Sequence, residues 1–403
     1  MLQQVEGSRA VAQAVGACRP QVICAYPISP QTHVVEELSR MVKARELACE
    51  YVNVESEFAA MSGAIGASAV GARAYTATAS QGLLYMVEAV YNASGMGLPI
   101  VMTVANRAIG APINIWNDQG DSMSQRDSGW LQLYAADNQE AADLHVQAFR
   151  IAEQLSVPVM VCMDGFVLTH AVEEVDVPEQ AQVDAFLPPF VPRQVLDPDA
   201  PVSIGAMVGP EAFTEVRYLA HLRQLDALAL IPQVASEFGE RFGRRSGGLV
   251  RPYRLEGAET VVIALGSVLG TLESVVDEPR WDGRVGVLGI TSFRPFPYDA
   301  VRAALAGARR VVVLERALAV GTDGIVAADV RAALAGTSIP QVTVVAGLGG
   351  RPVTTASLRR LLTSAEAGEL GPLTFLDLDE TVVERERFAV VGDGARSEGG
   401  ELR

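Results

Sequence analysis

Tyr51-Val52-Asn53-Val54-Glu55-Ser56-Glu57-Phe58-Ala59-Ala60-Met61-Ser62-Gly63-Ala64-Ile65-Gly66 changes its period in the middle. The first four residues read as a β-strand, and from Phe58 onward small and apolar residues follow a helical spacing. Glu57 sits on the joint. A strand that turns directly into a helix is the repeating unit of a parallel α/β sheet, so this stretch sets the fold class. On these residues alone Glu57 has two readings. It is an acid in a helix first turn, favoured by the dipole. Or it is a carboxyl walled by alanines and apolar side chains, able to keep its proton near neutrality.

Working outward, the same unit recurs. Upstream, the apolar strand Val22-Ile23-Cys24-Ala25 runs into Tyr26-Pro27-Ile28-Ser29-Pro30-Gln31-Thr32. The two prolines end the strand and stiffen the loop, since each fixes its own φ and restricts its predecessor. Loops at the carboxyl ends of strands are where α/β sheets bind ligands, although Ser29 also reads as a passive hydroxyl in an ordinary turn. Downstream, Thr76-Ala77-Thr78-Ala79-Ser80-Gln81-Gly82 opens a helix, and Ile100-Val101-Met102-Thr103-Val104-Ala105 ends in Asn106-Arg107. Four strand ends therefore carry polar groups. Arg107 is equally readable as a surface charge or a helix C-cap partner. Strands are expected near 21–25, 50–54, 72–78, 99–105 and 157–163, with helices over 8–18, 80–92 and 139–155 between them. Apolar strands alternating with helices predict a parallel sheet covered on both faces.

In combination and in order these motifs resemble the α subunit of 2-oxoacid:ferredoxin oxidoreductases, most like the pyruvate branch. The resemblance rests on Tyr26-Pro27-Ile28-Ser29-Pro30, Glu55-Ser56-Glu57 before the Ala/Gly-rich helix, Thr78-Ala79-Ser80-Gln81-Gly82-Leu83, and Asn106-Arg107-Ala108-Ile109-Gly110-Ala111-Pro112-Ile113-Asn114-Ile115-Trp116-Asn117-Asp118. It covers about residues 5–170, and more loosely 258–385. It implies a pyrimidine-type thiamine diphosphate-binding domain with a doubly wound parallel sheet, followed by a smaller α/β domain like the transketolase C-terminal one. It implies that Glu57 activates the aminopyrimidine of the cofactor, that Arg107 meets the substrate carboxylate, and that Ser29 donates to the substrate. Pro27, Ser80 and Gln81 are expected beside the cofactor. The family more often has threonine at Ser29, so the pocket is expected to be slightly larger. A planar guanidinium suits the carboxylate of a 2-oxoacid, and gripping it orients the ketone carbon.

Composition narrows the class. The chain has 403 residues, 49% hydrophobic, enough for two or three domains. Its 32 basic and 48 acidic residues give a net charge of −16, which disfavours nucleic-acid binding. No run approaches a membrane span, and Met1-Leu2-Gln3-Gln4-Val5-Glu6 lacks the marks of a secretory leader, so a cytoplasmic location is expected. Cys18, Cys24, Cys49 and Cys162 are scattered, without the close spacing an iron–sulfur cluster needs. Cys24 and Cys162 read as small core residues. His33, His145, His170 and His221 show no metal-ligand spacing. All four are expected on the surface or in loops, and no metal site is expected on this chain.

Residues 1–240 are expected to form the cofactor-binding domain with its connector, 250–390 the second domain, and 391–403 a disordered tail. The connector carries a helix from Pro210 to about Phe242. The second unit has strands over 260–267, 285–290, 311–314 and 342–346. Three Asp-Gly pairs imitate the magnesium–diphosphate signature of thiamine enzymes, at Asp164-Gly165, Asp323-Gly324 and Asp393-Gly394. None has the downstream asparagine the metal's oxygen shell needs. Gly347-Leu348-Gly349-Gly350-Arg351 lacks the Gly-Lys-Ser/Thr ending of a phosphate loop and reads as a turn.

A chain with the pyrimidine-activating glutamate but no diphosphate site would hold half of the cofactor. The resemblance therefore implies a β subunit with the diphosphate–magnesium site, and γ- and δ-type subunits with [4Fe-4S] clusters. The expected reaction is oxidative decarboxylation of a 2-oxoacid, pyruvate first among candidates, to acyl-CoA and CO2, with electrons passed to ferredoxin. Two alternatives are a bulkier aromatic 2-oxoacid such as phenylglyoxylate, and a docking subunit without chemistry. The polar loop from Asn114 to Asp127 reads structurally as a surface loop with Asx turns; functionally it would cover the pocket or touch coenzyme A, with an interface loop favoured over direct substrate contact.

Overall fold

The computed structural model describes residues 2–392. Six strands of the first sheet are parallel: β2 (Val22–Ala25), β3 (Glu50–Asn53), β4 (Ala74–Thr78), β5 (Val101–Asn106), β6 (Leu131–Tyr134) and β7 (Val159–Asp164). Their order is β6-β7-β5-β4-β2-β3. The chain builds outward from β2 to β3 and then crosses back to β4, so the loops after β2 and β4 diverge. That divergence opens a crevice at the carboxyl ends of the strands.

Strand alternation sorts side chains into two cores. Val101, Val159 and Val161 face α1 (Gly7–Ala17), α2 (Thr32–Lys43), α7 (Asn138–Leu155), α8 (Gln180–Phe186) and the long α9 (Phe213–Phe242). Met102, Val104, Met160 and Cys162 face α3 (Glu57–Ala69), α4 (Ser80–Tyr85) and α5 (Val87–Gly95). The helix after Glu57 lies close on the sheet because it is built of small residues. A Cβ on Gly63 would stand 2.8 Å from Cys24 Sγ. Its start is fixed by Ser56, whose Oγ accepts from Ala59 N at 3.1 Å, a cap contributing about 1 kcal/mol.

The second sheet, in the order β15-β14-β13-β10-β11-β9, comprises β9 (Val250–Tyr253), β10 (Thr260–Ala264), β11 (Val285–Ile290), β13 (Arg310–Glu315), β14 (Gln341–Val345) and β15 (Leu373–Phe375). Only β9 is antiparallel. Helices α10 (Val268–Val276) and α13 (Thr355–Ala367) pack on one face. On the other, α11 (Tyr298–Ala304) and α12 (Ile325–Ala333) share a core with the first sheet. Among the described residues the last helix is α14 (Glu380–Gly392). It takes in residues 391–392 of the expected tail, while 393–403, with the Asp393-Gly394 pair, lie outside the described residues.

Several expectations need correction. The first sheet is not wholly parallel or drawn from one half. Strand β12 (Ser292–Arg294), from the C-terminal half, pairs antiparallel with β6. An additional ribbon pairs β1 (Leu2–Glu6) with β8 (Val172–Asp176). The helix expected over 80–92 is two, broken at Met86. His145 is not a surface or loop residue: it is fully buried in α7, with Nε2 2.6 Å from Thr103 Oγ1 and Nδ1 2.6 Å from Ala141 O. Burial pushes its imidazole down to about 4. Helix α7 is covered by the sheet on one side and α9 on the other, so its polar positions are enclosed too.

Candidate functional site

The sequence-expected residues all follow carboxyl ends of strands in the first sheet, after β2, β3, β4 and β5. Glu57 opens α3 directly after the β3 strand and is 9% exposed. Among the described residues nothing hydrogen-bonds or ion-pairs with its carboxylate. It rests against the first turn of α4, where the residue must be glycine. A Cβ on Gly82 would lie 2.7 Å from Glu57 Oε1 and 2.6 Å from Thr78 Oγ1. The Thr78 hydroxyl is itself buried without a partner among the described residues. An unspent carboxylate beside an orphaned hydroxyl fits a ligand carrying ring nitrogens and an amino group, such as an aminopyrimidine.

Arg107 follows β5 and is 7% exposed. Its Nη1 donates to Ser29 O at 2.9 Å and its Nε to Asn114 O at 3.3 Å. No carboxylate among the described residues lies within ion-pair range of it. Burial pulls its guanidinium below the usual arginine value, with Asp121 acting in the opposite direction. A buried cation without a counter-ion is costly unless an anion arrives. Ser29 and Pro27 are exposed on the facing loop, and Arg107 holds that loop through its backbone rather than through the Ser29 hydroxyl.

Ser80 and Gln81 lie on the α4 side. Ser80 is buried with φ +51°, a left-handed conformation rare outside glycine that costs about 1–3 kcal/mol. Its hydroxyl bonds Ala108 O and the Gln81 side chain, so the chain itself consumes that group. Gln81 is partly exposed and reaches Gly110 O at 3.4 Å.

The residue that binds these pieces together was missed. Asp121, in the short helix α6 (Gly120–Met123), is fully buried. One oxygen accepts from Ser80 N at 2.9 Å and Arg107 N at 3.0 Å. The other accepts from Asn106 Nδ2 at 2.7 Å and Ser122 N at 2.8 Å. Burial raises its carboxyl to about 7 against those four donors. It thus offsets the strained Ser80 backbone and sets where Arg107 leaves β5. An Asp after Gly in a polar loop reads locally as a turn former, so no signal pointed to this role.

The Asn114–Asp121 loop lies between the two halves. Asn114 Nδ2 donates to Gly349 O at 3.1 Å, and Gly349 N donates to Asp118 at 3.2 Å. A Cβ on Gly350 would stand 2.4 Å from Trp116 Cβ, which explains a glycine turn here in place of a phosphate loop. The Asp164-Gly165 pair is also structural. Asp164 accepts from Gln119 Nε2, Ser267 N and Arg316 Nη1 at 2.8–3.0 Å, joining the halves. Asp323 spends its oxygens on Gly324 N and Arg331. Cys18, Cys24 and Cys162 are buried and free.

Comparison with known proteins agrees in the order of two matched regions, the first running well past residue 170. The family described as pyruvate flavodoxin/ferredoxin oxidoreductase, thiamine diphosphate-binding, matches residues 13–234. Core domain II of pyruvate:ferredoxin oxidoreductase matches residues 258–358. Pyruvate synthase subunit PorA of Methanosarcina barkeri is 48% identical over 94% of this chain and 97% of its own. The PorA of Methanocaldococcus jannaschii is 44% identical over 93% and 98%. Ketoisovalerate oxidoreductase subunit VorA of Pyrococcus horikoshii is 39% identical over 89% and 92%. In fold, the chain is similar to a 2-oxoglutarate:ferredoxin oxidoreductase from Magnetococcus marinus solved with 2-oxoglutarate, coenzyme A and succinyl-CoA bound. The TM-score is 0.70 at 19% identity, covering 90% of this chain and 65% of that one.

Proposed function

We propose a function for a chain that belongs to the pyruvate:ferredoxin oxidoreductase family: it is the PorA-type subunit of a thiamine diphosphate-dependent 2-oxoacid:ferredoxin oxidoreductase acting on pyruvate. The products would be acetyl-CoA and CO2, with electrons leaving through partner chains to ferredoxin. The aromatic-oxoacid and non-catalytic alternatives are not favoured, since the relatives named above are pyruvate synthase and ketoisovalerate oxidoreductase subunits. One observation supports this reading above others: a carboxylate without a side-chain bond, Glu57, and a buried guanidinium without a carboxylate partner, Arg107, both follow carboxyl ends of strands in the first sheet.

When bound, thiamine diphosphate supplies the nucleophilic carbon for decarboxylation. On this chain Glu57 would hold the aminopyrimidine and exchange a proton with it. Pro27, Ser80 and Gln81 would shape the wall, Ser80 through its backbone. Arg107 would take the 2-oxoacid carboxylate, replacing a missing counter-ion, and Ser29 would donate to the substrate. Asp121 positions Arg107 and keeps water from its backbone.

The diphosphate, its magnesium and the iron–sulfur clusters would reside on β, γ and δ-type partners. Support for a partner beside the crevice comes from Val52, Phe58, Leu84, Tyr85 and Tyr91, all 38–62% exposed on α3–α5 and the adjoining β3 strand. Residues 1–240 and 250–390 would be the cofactor and supporting domains, in the cytoplasm. Among the described residues no helix is long and apolar enough to cross a membrane.

The decisive experiment is reconstitution with the neighbouring subunits, with ferredoxin reduction measured across a panel of oxoacids. Pyruvate-dependent reduction requiring both coenzyme A and this chain is expected. Preference for phenylglyoxylate, or full activity without the chain, would refute the proposal.

A further inference from the structure

The chain spacing of the histidines hid an arrangement that the fold creates away from the crevice. Glu6 ends β1 and stands at the N-cap position of α1. His33 lies in the first turn of α2. His170 lies in the turn between β7 and β8. Their ligand atoms all lie within 4.8 Å of one another. His33 Nδ1 is 2.5 Å from Glu6 Oε1, and the two imidazole centroids are 4.7 Å apart.

One neighbour suits a metal ligand set. Thr169, fully buried, accepts from Phe166 N at 2.8 Å and lies 2.8 Å from His170 Nδ1. A hydroxyl there can accept the Nδ1 proton, which leaves the Nε2 lone pair of His170 for an ion. This is the outer support that fixes the tautomer of a metal-bound imidazole. The His33 side chain is 44% exposed. It borders a hollow of about 290 Å³ shared with Arg9, Glu36, Glu37 and Arg40, a route for an ion and room for a water ligand.

We propose that Glu6, His33 and His170 bind one divalent transition ion of the Zn2+ class. Two imidazoles and a carboxylate suit Zn2+ and its first-row neighbours, whereas Mg2+ and Ca2+ prefer all-oxygen shells. The bound ion ties β1, the turn before β8 and the start of α2 together. Helix α2 begins directly after the loop that carries Ser29, so the ion braces one wall of the crevice from behind. A chain of ring contacts continues inward. His170 lies 4.7 Å from Phe166, and Phe166 lies 4.7 Å from Trp116, on the loop between the halves. The ion takes no part in the chemistry proposed for the crevice.

The test uses the full chain, stripped with chelator and titrated with Zn2+ by calorimetry and with Co2+ by visible absorption. One ion per chain is expected, together with a higher Tm and a change in Trp116 fluorescence. His33→Ala and His170→Ala should each weaken binding by at least the 10–100-fold typical of losing outer-shell support, and the double variant should abolish it. His221→Ala should bind as the wild type does. Absence of binding by the wild type, or equal binding by the His33 and His170 variants, overturns the proposal. Should the variants misfold, X-ray absorption at the zinc edge of the wild type decides. Scattering from two imidazoles is required, and a shell without imidazole sinks the site.

Discussion

The ends of β5 and β13 lie at the carboxyl edges of inner parallel strands in the two mixed sheets, and both are followed by arginine, yet their charges are used in opposite ways. Glu315 at the end of β13 accepts from Val326 N at 2.8 Å and Ala327 N at 2.9 Å, pinning α12 to the sheet. Arg316 pairs with Asp164 at 3.0 Å. In the first sheet Arg107 has no carboxylate within range among the described residues, and Glu57, beginning the helix after β3, makes no side-chain bond. The second sheet's Glu315 and Arg316 are thus consumed by folding, as is Asp164 at the end of β7 in the first, whereas Glu57 and Arg107 are held in reserve. Reserve is costly, because a buried cation without a partner destabilises. It persists where a ligand completes the set.

The largest expected effect follows from the reserved carboxylate. Glu57→Gln keeps size and hydrogen-bonding capacity but removes proton exchange, so turnover of the reconstituted enzyme should fall by about 10²–10⁴-fold. Co-purification with partner subunits should be unchanged. Near-normal turnover would erase the distinction between the sheets. Next, Arg107→Lys loses the planar fork, and kcat/KM for pyruvate should drop about 100-fold, or ~2.7 kcal/mol. A change confined to thermal stability would mean that Arg107 is spent on folding after all.

Glu315→Gln should act in the opposite currency, leaving kcat within about twofold while costing about 1–3 kcal/mol in denaturant titrations through impaired bonding to α12. Its pH dependence has a definite sign. Burial raises the Glu315 carboxyl from 4.5 to about 7, so the stability this shift contributes is present below about 4.5 and lost as pH rises through about 7. The Gln variant, which does not titrate, should show a flatter stability profile across that window. The smallest effect belongs to Ser29→Thr. One methyl facing the crevice is worth ~0.8 kcal/mol, enough for about fourfold discrimination, read as a shift in kcat/KM toward pyruvate over branched 2-oxoacids.

Only the first sheet's side of this contrast was legible in the chain. Glu57, Arg107 and Ser29 stood at strand ends marked by prolines, a small-residue helix and an apolar run, all local signals. Asp121 was not legible, because its role depends on donors at 80, 106 and 107 that only the folded sheet brings to one carboxylate. His145 misled because α7 is enclosed on two sides, so a polar residue no longer marks a solvent face. Strand β12 is three residues long and pairs across the sequence with β6, a partner that no periodicity can announce. The ligand atoms of Glu6, His33 and His170 meet through the β1–β8 ribbon, which is likewise a long-range pairing.

That three-residue strand has a consequence for heredity. Ser292–Arg294 closes the border of a sheet whose other six members are encoded before residue 165. A gene split near residue 250 would yield a first product with β6 bare along one side, an invitation to stray pairing between molecules. Lineages can rearrange, fuse or separate the neighbours of this polypeptide, but a cut between its own halves leaves that border open until they meet again.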